Sequence, residues 1–326
     1  MLMQLCAFYA ERVHLTVNGL DIILEKAFLE RPLRSAKGGR RCLKQKYWVF
    51  ASITVFLWGS GSVLIRLAFD TFSVTTLATA RCYLAAVVMI IICAINKAPL
   101  PQLRDIPLFF VAGAVGFSVY MIIYNLGFSR VTAATGNVVM SSSPIFTAVI
   151  AQILFKERIR LLGWVFMGVS FVGILILVLW NGVLLINEGV LWLILTAIFL
   201  SAYNMIQRRL TRRYTAIQST AYSLAAGALL LTPFLPGTAR DIANTPPIAI
   251  AVLLYLGLGG SCFAYLCWSK ALSLAKRSAD VANFLYLPSF IAAIIAFIIF
   301  SEIPDWGTVI GGAFILFGLY MFQKKA

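Results

Sequence analysis

The sequence predicts an all-α integral membrane protein, with ten transmembrane helices arranged as two inverted five-helix repeats. Three observations carry that expectation. Of the 326 residues, 61% are hydrophobic and 12% charged, at a mean hydropathy of +0.92. That is more apolar surface than a water-soluble core can hide, so lipid must be the solvent for much of the chain. Apolar runs of the about 20 residues needed for a helical crossing follow one another from Trp48 to Phe322. Finally, characteristic residues recur at a spacing of 144.

Charges and turn residues bound each run. Span one covers 48–69 and stops at Asp70; span two, 73–95, stops before Asn96-Lys97; span three, 106–128, lies between Asp105 and Arg130. Span four, 132–154, runs to Lys156-Glu157-Arg158, and span five, 161–180, follows Arg160. In the second half, span six, 189–207, begins after Glu188 and ends at Arg208-Arg209, and span seven, 215–236, follows Arg212-Arg213. Span eight, 247–270, starts at the second of two prolines and ends at Lys270. Span nine, 280–300, follows Lys276-Arg277, and span ten, 306–322, ends before Lys324-Lys325. These connections are short and leave no room for a soluble catalytic domain.

A net charge of +15 could suggest nucleic-acid binding, but the placement of the cations argues for a bilayer partner and against nucleic acid. With residues 1–47 in the cytoplasm, the even connections and the C-terminus collect Lys97, Arg104, Lys156, Arg158, Arg160, Arg208, Arg209, Arg212 and Arg213, then Lys270, Lys276, Arg277, Lys324 and Lys325. The odd connections hold Arg66, Arg130 and Arg240. That asymmetry is the positive-inside pattern and puts both termini in the cytoplasm. The six cysteines (Cys6, Cys42, Cys82, Cys93, Cys262 and Cys267) have no paired metal spacing, and the one histidine, His14, stands far from any span. Free thiols are expected, with no metal, no cofactor and no Ser-His catalytic device.

Residues 1–47 form an N-terminal extension with nine Lys/Arg and four Asp/Glu. It reads as disorder, as sequence upstream of the true start, or as a short amphipathic helix over residues 19–29 lying on the inner membrane surface. It lacks the continuous apolar core of a signal peptide.

Residues 48–180 and 181–326 read as the two repeats. Pro144 and Pro288 are 144 residues apart, as are Gly116 and Gly260, Gly163 and Gly307, and Gly168 and Gly312; Glu157 and Glu302 differ by 145. Leu84-Ala85-Ala86 returns as Leu224-Ala225-Ala226. Because one copy has five spans, an odd number, the second copy enters the membrane upside down, as in many secondary transporters.

This order of pieces resembles the EamA-type family of the drug/metabolite transporter superfamily over roughly residues 48–323. The resemblance is carried by Leu57-Trp58-Gly59-Ser60-Gly61, by Thr79-Ala80-Arg81-Cys82-Tyr83-Leu84 and by Ser142-Ser143-Pro144-Ile145-Phe146 leading to Glu157. The second half contributes Leu287-Pro288 through Glu302 and Gly307 through Gly312. Where family members often carry a proline at the start of span two, this chain has Ser73-Val74. The resemblance implies a ten-helix transporter of small polar metabolites, typically an exporter of amino acids or related compounds, in the cell membrane. Export of drugs or lipophilic cations is the alternative; a membrane-embedded enzyme is disfavoured because no base–nucleophile pair or metal cluster is present.

Several residues are candidates for lining a solute cavity. Arg81 lies about eight residues, roughly 12 Å, into span two, where an arginine needs protein, water or solute partners. It reads first as a staple between helices, then as a charge that attracts a substrate carboxylate, and last as a side chain snorkelling to the surface. Asn137 and Ser141 share one face of span four with Pro144 a turn further on. Trp58, Ser60, Tyr120, Tyr124, Tyr203, Asn204, Tyr265 and Trp268 fall on spans that surround the central path in the family arrangement, and an aromatic wall with hydrogen-bonding groups suits an amino-acid-like solute. Pro144, Pro288, Gly307 and Gly311 read as structural, with Gly307-x-x-x-Gly311 a close-packing motif. Glu157 and Glu302 are expected against solvent or helix ends, and Asp280 in a local pair with Lys276 or Arg277. No mid-span carboxylate offers itself as a proton carrier. The small-molecule substrate, coupling and oligomeric state are left open.

Topology is directly testable. Reporter fusions after Arg213 and after Lys325 are expected to report cytoplasm and one after Asp241 the outside; an external signal from the Lys325 fusion removes the ten-span scheme.

Overall fold

In lipid every backbone N–H and C=O must be satisfied within the chain, so apolar runs of this length fold as helices. The computed structural model describes residues 47–131, 133–180, 188–243, 245–300 and 306–325, and among these no strand occurs. The extension before Tyr47, with its candidate amphipathic helix, Cys6, His14 and Cys42, lies outside the described residues, as does Glu302.

The first half contains α1 (Tyr47–Phe69), α2 (Val74–Ile95), α3 (Ile106–Gly113), α4 (Val119–Phe128), α5 (Ala133–Met140), α6 (Ser143–Phe155) and α7 (Leu161–Leu179). The second half contains α8 (Glu188–Leu210), α9 (Ala216–Leu231), α10 (Leu235–Ala243), α11 (Pro247–Leu254), α12 (Ala264–Leu274), α13 (Ser278–Ala282), α14 (Leu287–Phe300) and α15 (Trp306–Lys325). A π-helical turn, Ala114–Ser118, joins α3 to α4, and a longer one, Tyr255–Phe263, joins α11 to α12. Among the described residues six stretches are long and apolar enough to cross a membrane: Tyr47–Ile65, Val74–Ile95, Leu103–Phe128, Thr135–Phe155, Glu188–Leu210 and Pro247–Leu274.

Helix ends follow local chemistry. Ser73 caps α2 by accepting from Thr76 N at 3.2 Å. Thr215 and Gln218 form a capping box at α9. Pro144 cannot donate to the carbonyl of Met140, so Ser143 Oγ donates to it instead at 2.7 Å, and Ser201 Oγ donates to the Ser143 carbonyl at 3.0 Å. Hydroxyls thus satisfy the break between α5 and α6.

Three sequence expectations about element ends are corrected. The expected span seven does not continue to residue 236: α9 ends at Leu231, a 3-10 turn Thr232–Phe234 containing Pro233 intervenes, and α10 begins a separate helix. Lys270 is not in a connection; it is buried within α12, which continues to Leu274 because Ala271 and Leu272 are packed in the core. Arg208 likewise lies within α8, buried rather than in a loop.

Helices of the two halves interleave. α2 packs on α9 and α7 on α15, while α1 packs on α12 and α14, and α8 reciprocally on α4 and α6. The 144-residue spacing makes α12 the counterpart of α4 and α14 that of α6, so each contact has a mirror contact. Small residues permit the close approaches. A Cβ on Gly113 would lie 2.6 Å from Gly227 N and 2.9 Å from Ser223 O, and one on Gly173 would lie 2.7 Å from Gly311 O. A Cβ on Gly307 would overlap Trp180 and one on Gly59 would lie 2.9 Å from Pro288 O. Gly307, Gly311 and the Gly59-Ser60-Gly61 segment therefore sit at close helix contacts.

The helix ends fall into two groups. At one, Glu157 accepts from Ser278 N (2.8 Å) and Ser278 Oγ (3.1 Å) and lies 3.2 Å from Arg208 Nε. At the same end Asp105 accepts from Tyr214 Oη (2.7 Å) and pairs with Arg213 (2.9 Å), and Asp280 pairs with Arg277 (2.6 Å). At the other end Thr76 bonds Asp241 and Arg130 pairs with Glu188. Glu157 is thus packed on a helix terminus and Asp280 in a local pair.

Packing against backbone sets one expectation. Gly113→Ala should destabilise the folded protein by about 1–3 kcal/mol, because the methyl meets backbone atoms that cannot move aside. Gly168→Ala, with open space around its position, should not. Thermal unfolding in detergent compares them; equal midpoints would contradict the tight α3–α9 crossing.

Candidate functional site

A cavity lies between the halves. α1, α2, α4, α5, the Tyr255–Phe263 π-helical segment, the start of α12 and the start of α14 contribute its wall, with Leu200 of α8. It reaches from the middle of the helices toward the end that carries Phe69, Val74 and Phe128, since Ile65, Arg81, Tyr124, Phe128 and Asn137 all line it.

Arg81 carries the one formal charge on this wall among the described residues. Its Nε donates to Ser261 Oγ at 3.2 Å, and no carboxylate among the described residues lies within ion-pair distance. Two structural features adjoin it. Gly260 lies beside the guanidinium, its Cβ position 3.7 Å from Arg81 Nη2, an ordinary contact distance. The π-helical winding of Tyr255–Phe263 turns Ser261 toward Arg81 and the Gly260 carbonyl toward Trp58, whose Nε1 donates to it at 3.0 Å. The staple reading of Arg81 therefore reduces to one hydrogen bond to a neutral hydroxyl.

Aromatic rings form much of the remaining wall. Tyr120 and Tyr124 stack with centroids 5.8 Å apart, and Trp58 meets Tyr265 edge-on at 5.2 Å. Opposite them Asn137 and Ser141 line the cavity from α5 and the turn after it, with Ser141 Oγ 3.5 Å from Ser289 Oγ. Pro144 and Pro288 mark the two helix breaks, and Pro288 itself reaches the wall.

Of the sequence candidates, Trp58, Arg81, Tyr120, Tyr124, Asn137, Ser141 and Tyr265 line the cavity. Four do not. Ser60 turns back to the Phe56 and Leu57 carbonyls and to Tyr255 Oη. Tyr203 is fully buried behind Phe117 and Tyr265. Asn204 and Trp268 hold each other, Nε1 donating to Oδ1 at 2.7 Å, while Asn204 Nδ2 donates to Thr147 Oγ1 at 3.3 Å. Sequence reasoning overlooked Ser62, Gly260, Ser261 and Ser289. Signals for two of them existed, since Gly260 is half of a repeat pair and Ser289 follows the repeated proline.

Comparison with known proteins follows this geometry. A family model described as the EamA-like transporter family matches residues 45–179 and again 187–323. A probable terminal-alkyne amino-acid exporter from Streptantibioticus cattleyicolor is 27% identical over 87% of this chain and 95% of its own. An S-adenosylmethionine uptake transporter from Rickettsia bellii is 33% identical over 62% of this chain and 68% of its own. A solved crystal structure superposes with a TM-score of 0.71 at 17% identity, covering 87% of this chain and 100% of that one, which shows the shared fold.

Proposed function

The chain belongs to the EamA-like transporter family, and from that premise we propose that it is a secondary transporter that exports small polar metabolites bearing a carboxylate, amino acids foremost, across the cell membrane. Membrane transport is the activity of the family; substrate, direction and mechanism are our reading. The observation that carries it is the Arg81 guanidinium, buried in the cavity wall with a neutral hydroxyl as its hydrogen-bond partner. A charge in such surroundings is costly unless water or an anion compensates it. A substrate carboxylate meets it with charge-assisted, bidentate geometry. The stacked tyrosines and Trp58 offer π faces to an α-ammonium group, and Asn137, Ser141 and Ser289 offer hydrogen bonds.

Two relatives support the class. One is named for export of an amino acid and the other for uptake of S-adenosylmethionine, and both solutes carry an α-amino acid group. Lipophilic cations fit less well, since the wall presents a positive charge to them.

Alternating access follows from the repeat. The family model matches twice and the contacts between halves are mutual, which supports ten spans in two inverted repeats, residues 48–180 and 181–326, that rock about the cavity. The positive-inside pattern supports cytoplasmic termini. Cavity wall residues are the proposed substrate contacts.

Purified protein in liposomes tests the reading with a competition panel of amino acids, sugars, nucleosides and quaternary cations. Amino acids should move, and Arg81→Gln should accumulate as folded protein yet lose carboxylate-bearing solutes by at least about tenfold, equivalent to ~1.4 kcal/mol. Selective movement of the cations with amino acids inert would replace this reading with drug export. Loss of folded Arg81→Gln would restore the staple.

A further inference from the structure

Below the cavity the bundle is shut, yet its shut half is polar. Asn204, Gln207 and Arg208 stand on one face of α8, at i, i+3 and i+4. The first two are fully buried and Arg208 nearly so. Trp268 of α12 donates to Asn204, and Gln207 Nε2 donates to Ser219 Oγ (2.9 Å) and Ser269 Oγ (2.7 Å). Arg208 Nη1 donates to the Leu272 and Ala275 carbonyls at 3.4 and 3.3 Å, and Glu157 lies beside its Nε. Gln207 Oε1 and the Tyr203 hydroxyl have no hydrogen-bond partner among the described residues. Buried amides left half-satisfied weaken a bundle that apolar side chains would have packed more stably. Folding alone does not explain this column.

The repeat does. Leu57 and Leu200, Arg66 and Arg209, and Leu67 and Leu210 are identities at an offset of 143, which registers α1 on α8; α4 registers on α12 at 144. In that register the cavity residues Gly61, Ile65, Tyr124 and Phe128 correspond to Asn204, Arg208, Trp268 and Leu272. The counterparts of an open wall are thus a closed, polar one at the opposite end of the molecule.

We propose that Asn204, Arg208, Trp268 and Leu272 line the second half of the solute path, closed in this conformation, and that the Glu157–Arg208–Ser278 cluster is the gate at its mouth. This rests on the inverted-repeat reading above. When the halves rock, Glu157 releases Ser278 and Arg208, the column hydrates, and the orphaned Gln207 carbonyl gains water as a partner.

Cysteine accessibility tests this without a substrate, so an error in the substrate class leaves the result unchanged. In a background with Cys6, Cys42, Cys82, Cys93, Cys262 and Cys267 replaced, Asn204→Cys and Leu272→Cys are each exposed to a membrane-impermeant maleimide from either face of sealed vesicles. Both should label from the face that carries Arg208 and Lys276, and Glu157→Gln should raise the labelling rate at least fivefold by loosening the gate. Leu272→Cys reads the same wall should Asn204→Cys misfold. Labelling from neither face, or from the opposite face alone, with Glu157→Gln present, would overturn the proposal.

Discussion

A guanidinium enclosed by apolar helices must be compensated, and the architecture around Arg81 is arranged by that requirement. Its Nε has Ser261, while the rest of the group faces the cavity. Ser261 can reach it because the backbone from Tyr255 to Phe263 winds as a π-helix. An ordinary α-helical register would rotate Ser261 and the Gly260 carbonyl away from Arg81 and Trp58. The charge, the irregular helix and the tyrosine-rich wall therefore form one arrangement.

The same logic explains why the halves are tightly joined away from the cavity and loosely filled at it. Gly113 against Gly227 and Gly173 against Gly311 bring helices of opposite halves into backbone contact, where dispersion and close packing substitute for the hydrophobic effect that lipid cannot supply between helices. Around the cavity the helices are interrupted at the Ser141–Ser142 turn, at Asn283–Tyr286 and at both π segments. Interrupted helices absorb small changes in direction at modest cost, since serine hydroxyls already satisfy freed carbonyls beside Pro144. In the proposed mechanism the glycine seams act as the rigid surfaces and the interruptions as the places where shape changes.

Much of this was legible in the sequence, for physical reasons. Apolar length and cation placement marked helical elements within a few residues, and the repeated prolines and glycines pointed to breaks and seams that the structure contains. Arg81 stood out because an arginine at that depth has few explanations. The direction of individual side chains was not legible: Ser60 and Trp58 are two residues apart, yet one turns back on its own helix while the other faces the cavity. Asn204 and Trp268 read as wall residues, yet they are buried and hydrogen-bonded to each other, because a pairing across two helices is not visible in the spacing of either one. Lys270 read as a loop cation since charge outweighed the buried Ala271 and Leu272 that continue the helix. The π-helical winding at Ser261 left no compositional trace beyond its glycines.

The contribution of the carboxylate is the point on which the substrate reading turns. Calorimetric titration of the purified protein with its best-transported amino acid, alongside the methyl ester of that amino acid, isolates it. Binding should weaken at least about tenfold for the ester, and Arg81→Gln should abolish the difference between the two ligands. Equal affinity for acid and ester in the unaltered protein would show that Arg81 does not hold the carboxylate.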